Sequence, residues 1–214
     1  MSKMTLIIGA KNYSSWSLRP WLILKHGGIP FKEILIPLSE PGSKEKILKY
    51  SPAGKVPALK HGKLTVWESL AIGEYLAEAF PQKDLWPKDL KTRAWARSIS
   101  HEMHAGFTFL RKNCPMNVRG LFPGQGLNED VNRDVKRIAE IWKQCRETFR
   151  KDGEILFGHF TVADCMYAPV VWRFNSYAIV TAGLARKYFE TILALKEMKE
   201  WREAALKETF PAIH

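Results

Sequence analysis

Three short segments combine hydroxyls, a carboxylate and prolines at points where the chain turns. The first is Asn12-Tyr13-Ser14-Ser15-Trp16-Ser17-Leu18-Arg19-Pro20-Trp21. Serine is a favoured helix N-cap and proline is favoured in a first helical turn, so capping alone accounts for the residue types. The same position also has chemistry. A helix N-terminus offers free N–H groups and a positive dipole end, which stabilise an anion such as a thiolate. A serine hydroxyl donating to a bound thiol's sulfur acts in the same sense. The second segment is Ser51-Pro52-Ala53-Gly54-Lys55-Val56-Pro57-Ala58-Leu59. Its valine-proline step is either a plain turn or a cis proline that presents the Val56 backbone to an extended ligand. The third, Trp67-Glu68-Ser69-Leu70-Ala71-Ile72, opens a helix with a polar pair. Either this is an ordinary charged start, or Ser69 and the helix N–H groups hold a carboxylate while Glu68 pairs with an ammonium.

Further along, Arg97, His101, His104, Thr108 and Arg111 recur at spacings of 4, 3, 4 and 3 on a helix expected over 91–112. They form a polar stripe opposite an apolar one of Trp95, Ile99, Met103, Phe107 and Leu110. Such a stripe is a solvated face by default. Met103, Phe107, Trp172 and Tyr177 suit either core packing or an apolar pocket. The histidines lack the ligand count of a metal site, and none is expected. Phe157-Gly158-His159-Phe160-Thr161-Val162-Ala163-Asp164 reads as a capped helix start, with Thr161 as N-cap and Asp164 reaching back. Asp164 is therefore a folding residue rather than a catalytic acid.

These segments need particular elements to hold them. Met4 to Ala10 is an apolar run of strand length, followed by helical spacing at Leu18, Trp21, Leu22 and Lys25 that stops at Gly27-Gly28. Phe31 to Ile36 reads as a second strand and Ser43 to Tyr50 as a short helix. Two strands then flank a tight His61-Gly62 turn, and Glu68 to Phe80 is helical. The order is β-α-β-α-β-β-α. From residue 91 the period is helical almost throughout, with helices around 131–149, 162–177 and 188–206. The sequence thus predicts an α/β domain over 1–83, a proline-bounded connector over 84–90, and an all-helical domain over 91–214.

The 214-residue composition, with 46% apolar and 26% charged residues, excludes a disordered or fibrous chain. No apolar run approaches the roughly 18 residues of a membrane span. The N-terminus lacks a small-residue cleavage site, so it reads as a first strand and the protein as cytoplasmic. The net charge of +11 raises nucleic acid as a partner, but it is spread evenly: 12 basic against 6 acidic residues over 1–83, and 21 against 16 over 84–214. That distribution suits a cleft attracting small anions better than a nucleic-acid surface. The three cysteines, Cys114, Cys145 and Cys165, match neither a paired-thiol motif nor a zinc site.

In this order and within this element pattern, the three segments resemble the glutathione transferase superfamily, over essentially the whole chain. The resemblance implies a thioredoxin-like N-terminal domain and a helical C-terminal domain, with glutathione as co-substrate and no metal. It implies that the Lys55-Val56-Pro57 step, with a cis proline, binds the cysteinyl backbone, and that Glu68 and Ser69 bind the γ-glutamyl end. A serine opening the first helix would activate the thiol. Family position selects Ser14, aimed outward toward Val56, with Ser15 also at the ligand and as the fallback. Ser14-Ser15-Trp16-Ser17-Leu18-Arg19 looks most like the zeta class, although Trp16 stands where that class has cysteine. The implied activity is conjugation of glutathione to small hydrophobic electrophiles, in a pocket drawn from His104, Phe107, Thr108, Arg111, Trp172 and Tyr177. Two alternatives stay open: a maleylacetoacetate-type cis–trans isomerase, with Arg19 and Arg111 as cations for two carboxylates, and a non-catalytic interaction module of this fold. The resemblance also implies a homodimer, with the start of helix 91–112 and the end of helix 69–80 at the interface.

Overall fold

The computed structural model describes residues 3–149 and 153–210, so the readings at Met1-Ser2 and beyond residue 210 lie outside it. The α/β half runs β1 (Met4–Ile8), α1 (Ser15–His26), β2 (Lys32–Leu35), α2 (Ser43–Leu48), β3 (Ala58–His61), β4 (Leu64–Trp67) and α3 (Ser69–Ala79). The sheet order is β2-β1-β3-β4; β1 and β2 are parallel, and the β1–β3 and β3–β4 pairs are antiparallel. Alternation along β1 buries both faces of the sheet. Leu6 and Ile8 join the main core against the helices, while Ile7 packs with Ile36, Ile47 and Ala58 under α2. The element order read from the sequence is the one observed, and with the helical half it forms the thioredoxin-like and all-α combination.

A 3-10 turn at Pro81–Lys83 leads into α4 (Leu90–Ala105), α5 (Thr108–Asn113), α6 (Glu129–Phe149), α7 (Val162–Ser176), α8 (Gly183–Ala194) and α9 (Lys196–Leu206). Of these, α7 is buried along almost its whole length and packs on α1, α4 and α8. Its start is fixed by Asp164, whose carboxylate accepts from the Thr161 N–H at 2.8 Å, the Thr161 hydroxyl at 3.0 Å and the Leu156 N–H at 3.2 Å. Gly73, in mid-helix on α3, permits the approach of α7: a Cβ there would lie 2.9 Å from Val162 Cγ1. One apolar core runs through α1, α3, α4 and α7 and so joins the two halves.

Three local readings change. The helix expected over 91–112 breaks at Gly106-Phe107, where Gly106 is extended and Phe107 sits at φ 56°. The Asp134 carboxylate on α6 accepts the Leu110 N–H at 2.9 Å, so α5 starts afresh against α6, with Leu110 buried. The supposed continuous stripe is therefore two faces. Trp95, placed on the apolar side by spacing, is exposed and edges onto Phe149. The single helix expected over 188–206 is likewise divided, by Leu195 in an extended conformation. Pro20 lies in the second turn of α1 rather than the first, because the helix begins at Ser15.

Candidate active site

Where the loops at one end of the sheet meet the helical half there is a cleft of about 540 Å³. One wall is Leu38, Ile47 and the loop Ala53-Gly54-Lys55-Val56-Pro57; the other elements supply Trp16 from α1, Trp67 and Glu68 from the β4–α3 junction, His104 from α4 and Arg111 from α5. The Val56–Pro57 peptide bond is cis. Glu68 adopts φ 69°, ψ 126°, a conformation L-residues avoid, and makes no side-chain cap to α3. Its half-exposed carboxylate lies 3.8 Å from His104 Nε2.

The structure thus brings together six of the sequence-selected residues: Lys55, Val56, Pro57, Glu68, His104 and Arg111. Ser69 lies just behind, fully buried, its hydroxyl accepting from Arg19 Nη1 at 3.3 Å. The pocket expected to include Phe107, Thr108, Trp172 and Tyr177 is different. Phe107, Trp172 and Tyr177 are buried in the core, and Thr108 is exposed outside the cleft. The α4–α5 break explains two of these: it swings Phe107 inward and Thr108 away. Ser14 also departs from the outward orientation. It is buried beneath Gly9, where an added Cβ would come within 2.9 Å of its Oγ, and it donates to Ser17 Oγ at 2.7 Å. Ser17 in turn accepts the Gly9 N–H at 3.0 Å. Ser15, the first residue of α1, keeps partial exposure, and its Oγ accepts from Arg173 Nη2 at 3.4 Å.

The charge around this corner is strongly positive. The Arg19 and Arg111 guanidiniums lie 4.3 and 4.9 Å from the Trp16 ring centre, and His104 meets the same ring edge-on at 5.1 Å. Arg19 is buried, and that burial, with Arg173 and Arg111 beside it, pushes its guanidinium down to about 9. Arg173 is buried as well and is pushed down to about 10 by burial and by Arg111. Both still carry their charge at neutral pH. Burial lowers Arg111 too. His104 is held below its ordinary value by burial and then by Arg19, so it is largely neutral at pH 7. Arg19 Nε, Arg173 Nη1 and His104 Nδ1 are buried without a hydrogen-bond partner among the described residues. A buried cation lacking a carboxylate is costly, so this corner favours a bound anion.

The loop before α1 is fastened from the far end of the chain. The Glu208 carboxylate accepts the Lys11 and Asn12 N–H groups, the latter at 3.0 Å, and the Trp201 indole donates to the Lys11 carbonyl at 2.8 Å. Arg119 holds the Glu208 carbonyl at 2.7 Å. Sequence reasoning passed over this clamp, and it missed Arg173 as well. The usable signal for Arg173 was a lone cation in the otherwise apolar run Cys165 to Phe174.

With this geometry in place, the class is defined. Residues 13–79 match the glutathione S-transferase N-terminal domain and residues 128–211 match the glutathione S-transferase C-terminal domain. The chain belongs to the glutathione S-transferase superfamily, an enzyme family. It is 30% identical over 167 residues to a probable maleylacetoacetate isomerase of Caenorhabditis elegans, covering 76% of this chain and 75% of that one. It is 29% identical over 218 residues to glutathione S-transferase theta-3 of Mus musculus, covering 88% of each. A glutathione transferase homologue from Burkholderia, solved with bound glutathione, shares the fold at a TM-score of 0.73 and 21% identity, over 96% of this chain and 100% of that one. His104 and Arg111 lie between the two matched ranges.

Proposed function

We propose that the protein conjugates glutathione to small electrophiles in this cleft. The observation that carries the reading is Glu68, held at positive φ beside the Val56-Pro57 step. Strained backbone of this kind costs on the order of 1–3 kcal/mol and persists where a ligand needs it. In this reading the Val56 backbone pairs with the cysteinyl unit, and Glu68 takes the γ-glutamyl ammonium. The head of α3 at Ser69 takes the adjacent carboxylate. A serine at the head of α1 donates to the sulfur. The thiol proton passes to water and the sulfur pair forms the C–S bond. A leaving group departs with its own bonding pair, or water protonates the carbanion after addition to an activated double bond. Trp16, Leu38 and Trp67 give the electrophile an apolar surface. Immobilised glutathione is expected to retain the protein and free glutathione to release it, with turnover on a panel of aryl halides and enones. No retention at millimolar glutathione would discard the reading; retention without turnover on any electrophile would favour a non-catalytic module.

One observation favours a second reading, the glutathione-dependent cis–trans isomerisation of a maleyl-type dicarboxylate. Arg111 stands in the cleft wall and Arg19 behind Trp16, as cations for two carboxylates. There the sulfur adds to the cis double bond, the resulting single bond rotates, and elimination restores glutathione and a trans alkene. Turnover of such a diacid with no net loss of glutathione would support it. We further propose a cytoplasmic homodimer. The buried, unpaired Cys114, Cys145 and Cys165 fit a reducing compartment, and Leu90 and Trp95 are exposed on the first turns of α4. Sedimentation giving only the 24.6 kDa species at micromolar concentration would refute the dimer.

A further inference from the structure

Arg173 is a cation in the most deeply buried helix, with 6% of its surface exposed. Among the described residues its one side-chain hydrogen bond runs from Nη2 to Ser15 Oγ at 3.4 Å, and its Nη1 has no partner. A serine hydroxyl has one proton and two lone pairs. Ser15 spends a lone pair on the guanidinium, which leaves its proton free for another acceptor. Ser14, one residue earlier, is buried and donates inward to Ser17. A hydroxyl that accepts from a cation also becomes a stronger donor, because linked hydrogen bonds polarise one another.

The groups facing Arg173 are Arg111 from α5, Tyr177 at the end of α7, and Cys114 after α5; Arg19 from α1 is its nearest cationic neighbour on the helix that Ser15 opens. Glu68 is the carboxylate that offsets Arg19, and it lies on the cleft side, where the ligand's ammonium would engage it. A negative atom at the head of α1 therefore relieves an otherwise uncompensated field.

We propose that Ser15 is the hydroxyl that donates to the sulfur of bound glutathione, and that Arg173 is a positioning residue that orients and polarises it. This rests on the glutathione-conjugating reading above. The bound thiol gives its proton to water, the sulfur keeps the electron pair, and the Ser15 O–H donates to the thiolate.

The test is a pH titration of the thiolate ultraviolet absorbance of bound glutathione, with affinity measured separately by calorimetry. Ser15→Ala, Arg173→Gln and Arg173→Met are each expected to raise the bound thiol's pKa by about one to two units, leaving roughly ten- to a hundredfold less thiolate at neutral pH. The Ser15→Ala/Arg173→Gln double variant is expected to shift it little beyond either single one, and Arg173→Lys to restore most of the loss. Affinity is expected to change little, because Val56, Glu68 and Ser69 remain. Should Arg173→Met fail to fold, Arg173→Gln against Arg173→Lys separates charge from packing. The proposal is overturned if Ser15→Ala or folded Arg173→Gln binds glutathione with an unshifted thiol pKa, and the conjugating reading then stands. If the wild-type protein binds no glutathione at millimolar concentration, that reading falls and this proposal falls with it.

Discussion

Replacing Glu68 by glycine is expected to move affinity and stability in opposite directions. The residue sits at φ 69°, ψ 126°. Glycine adopts this conformation freely, which removes a strain of about 1–3 kcal/mol. Against that, glycine adds unfolded-chain entropy worth roughly 0.5–1 kcal/mol. The side chain itself contributes little to the fold: it makes no cap, it is half-exposed, and His104 at 3.8 Å is largely neutral. The net is a gain of roughly 1 kcal/mol, a rise in Tm of about 2–4 °C for a chain of this size. Affinity for glutathione moves the other way. Loss of a charge-assisted hydrogen bond worth about 1.5–3 kcal/mol raises Kd by roughly 10- to 150-fold. Glu68→Gln keeps the backbone and removes only the charge, so its Tm is expected to stay at the wild-type value while its Kd falls between the two. Scanning calorimetry of the free protein and titration calorimetry with glutathione read the two effects independently. A Glu68→Gly protein that melts lower than wild type and binds glutathione unchanged would show that the strained turn is not kept for the ligand.

Asp164→Ala is expected to lose about 3 kcal/mol of stability, because it orphans the buried Thr161 and Leu156 N–H groups, with denaturant midpoints as the measure. His104, depressed mainly by burial, gives a pH signature. Above its ordinary value of about 6.5 both folded and unfolded forms are neutral, so stability is flat. As pH falls below about 6.5 the unfolded state takes up the proton first, and stability declines until pH drops below the depressed folded value, where both forms are charged. His104→Gln is expected to lessen that decline in melts between pH 7 and pH 5. Glu208→Gln weakens the clamp on the Lys11 and Asn12 N–H groups, and it is expected to slow turnover more than it weakens glutathione binding in steady-state kinetics. An unchanged kcat would separate the tail from the head of α1.

Local signals in this chain were reliable where one element decides them. Prolines and glycines bound β2, β3 and the end of α1, and the apolar spacing of α6 survives intact because one face meets the core and the other meets water. The Glu68-Ser69 and Val56-Pro57 segments were legible for the same reason: each lies at the junction of a turn and a regular element. Spacing failed where a partner element sets the conformation. Nothing within 91–112 except Gly106 announces a break, and the Asp134 carboxylate that starts α5 comes from a helix more than twenty residues later. Leu195 has no breaker beside it either. Side-chain direction at the head of α1 was likewise out of reach. Ser14, Ser15 and Ser17 are chemically identical on paper, and what distinguishes them is Gly9 above one and Arg173 behind another.

That difference bears on how the two halves divide the chemistry. The α/β half contributes the backbone and carboxylate that grip a peptide, in motifs that can be read in order along sixty residues. The helical half contributes two cations and an imidazole from three helices: Arg111, Arg173 and His104 converge on Trp16 and Ser15 from α5, α7 and α4. Helical spacing pairs residues 104 and 111, but no spacing rule ties either to residue 173, so no linear motif carries all three. Their convergence depends on α7 packing against α1, and that in turn depends on Gly73 letting Val162 approach and on Asp164 fixing where α7 begins. The folding residues of the helical half therefore also set the electrostatics at the head of α1. A variant that loosened the start of α7 without unfolding the protein would weaken the field on the thiol while leaving the grip of Val56 and Glu68 on the ligand intact.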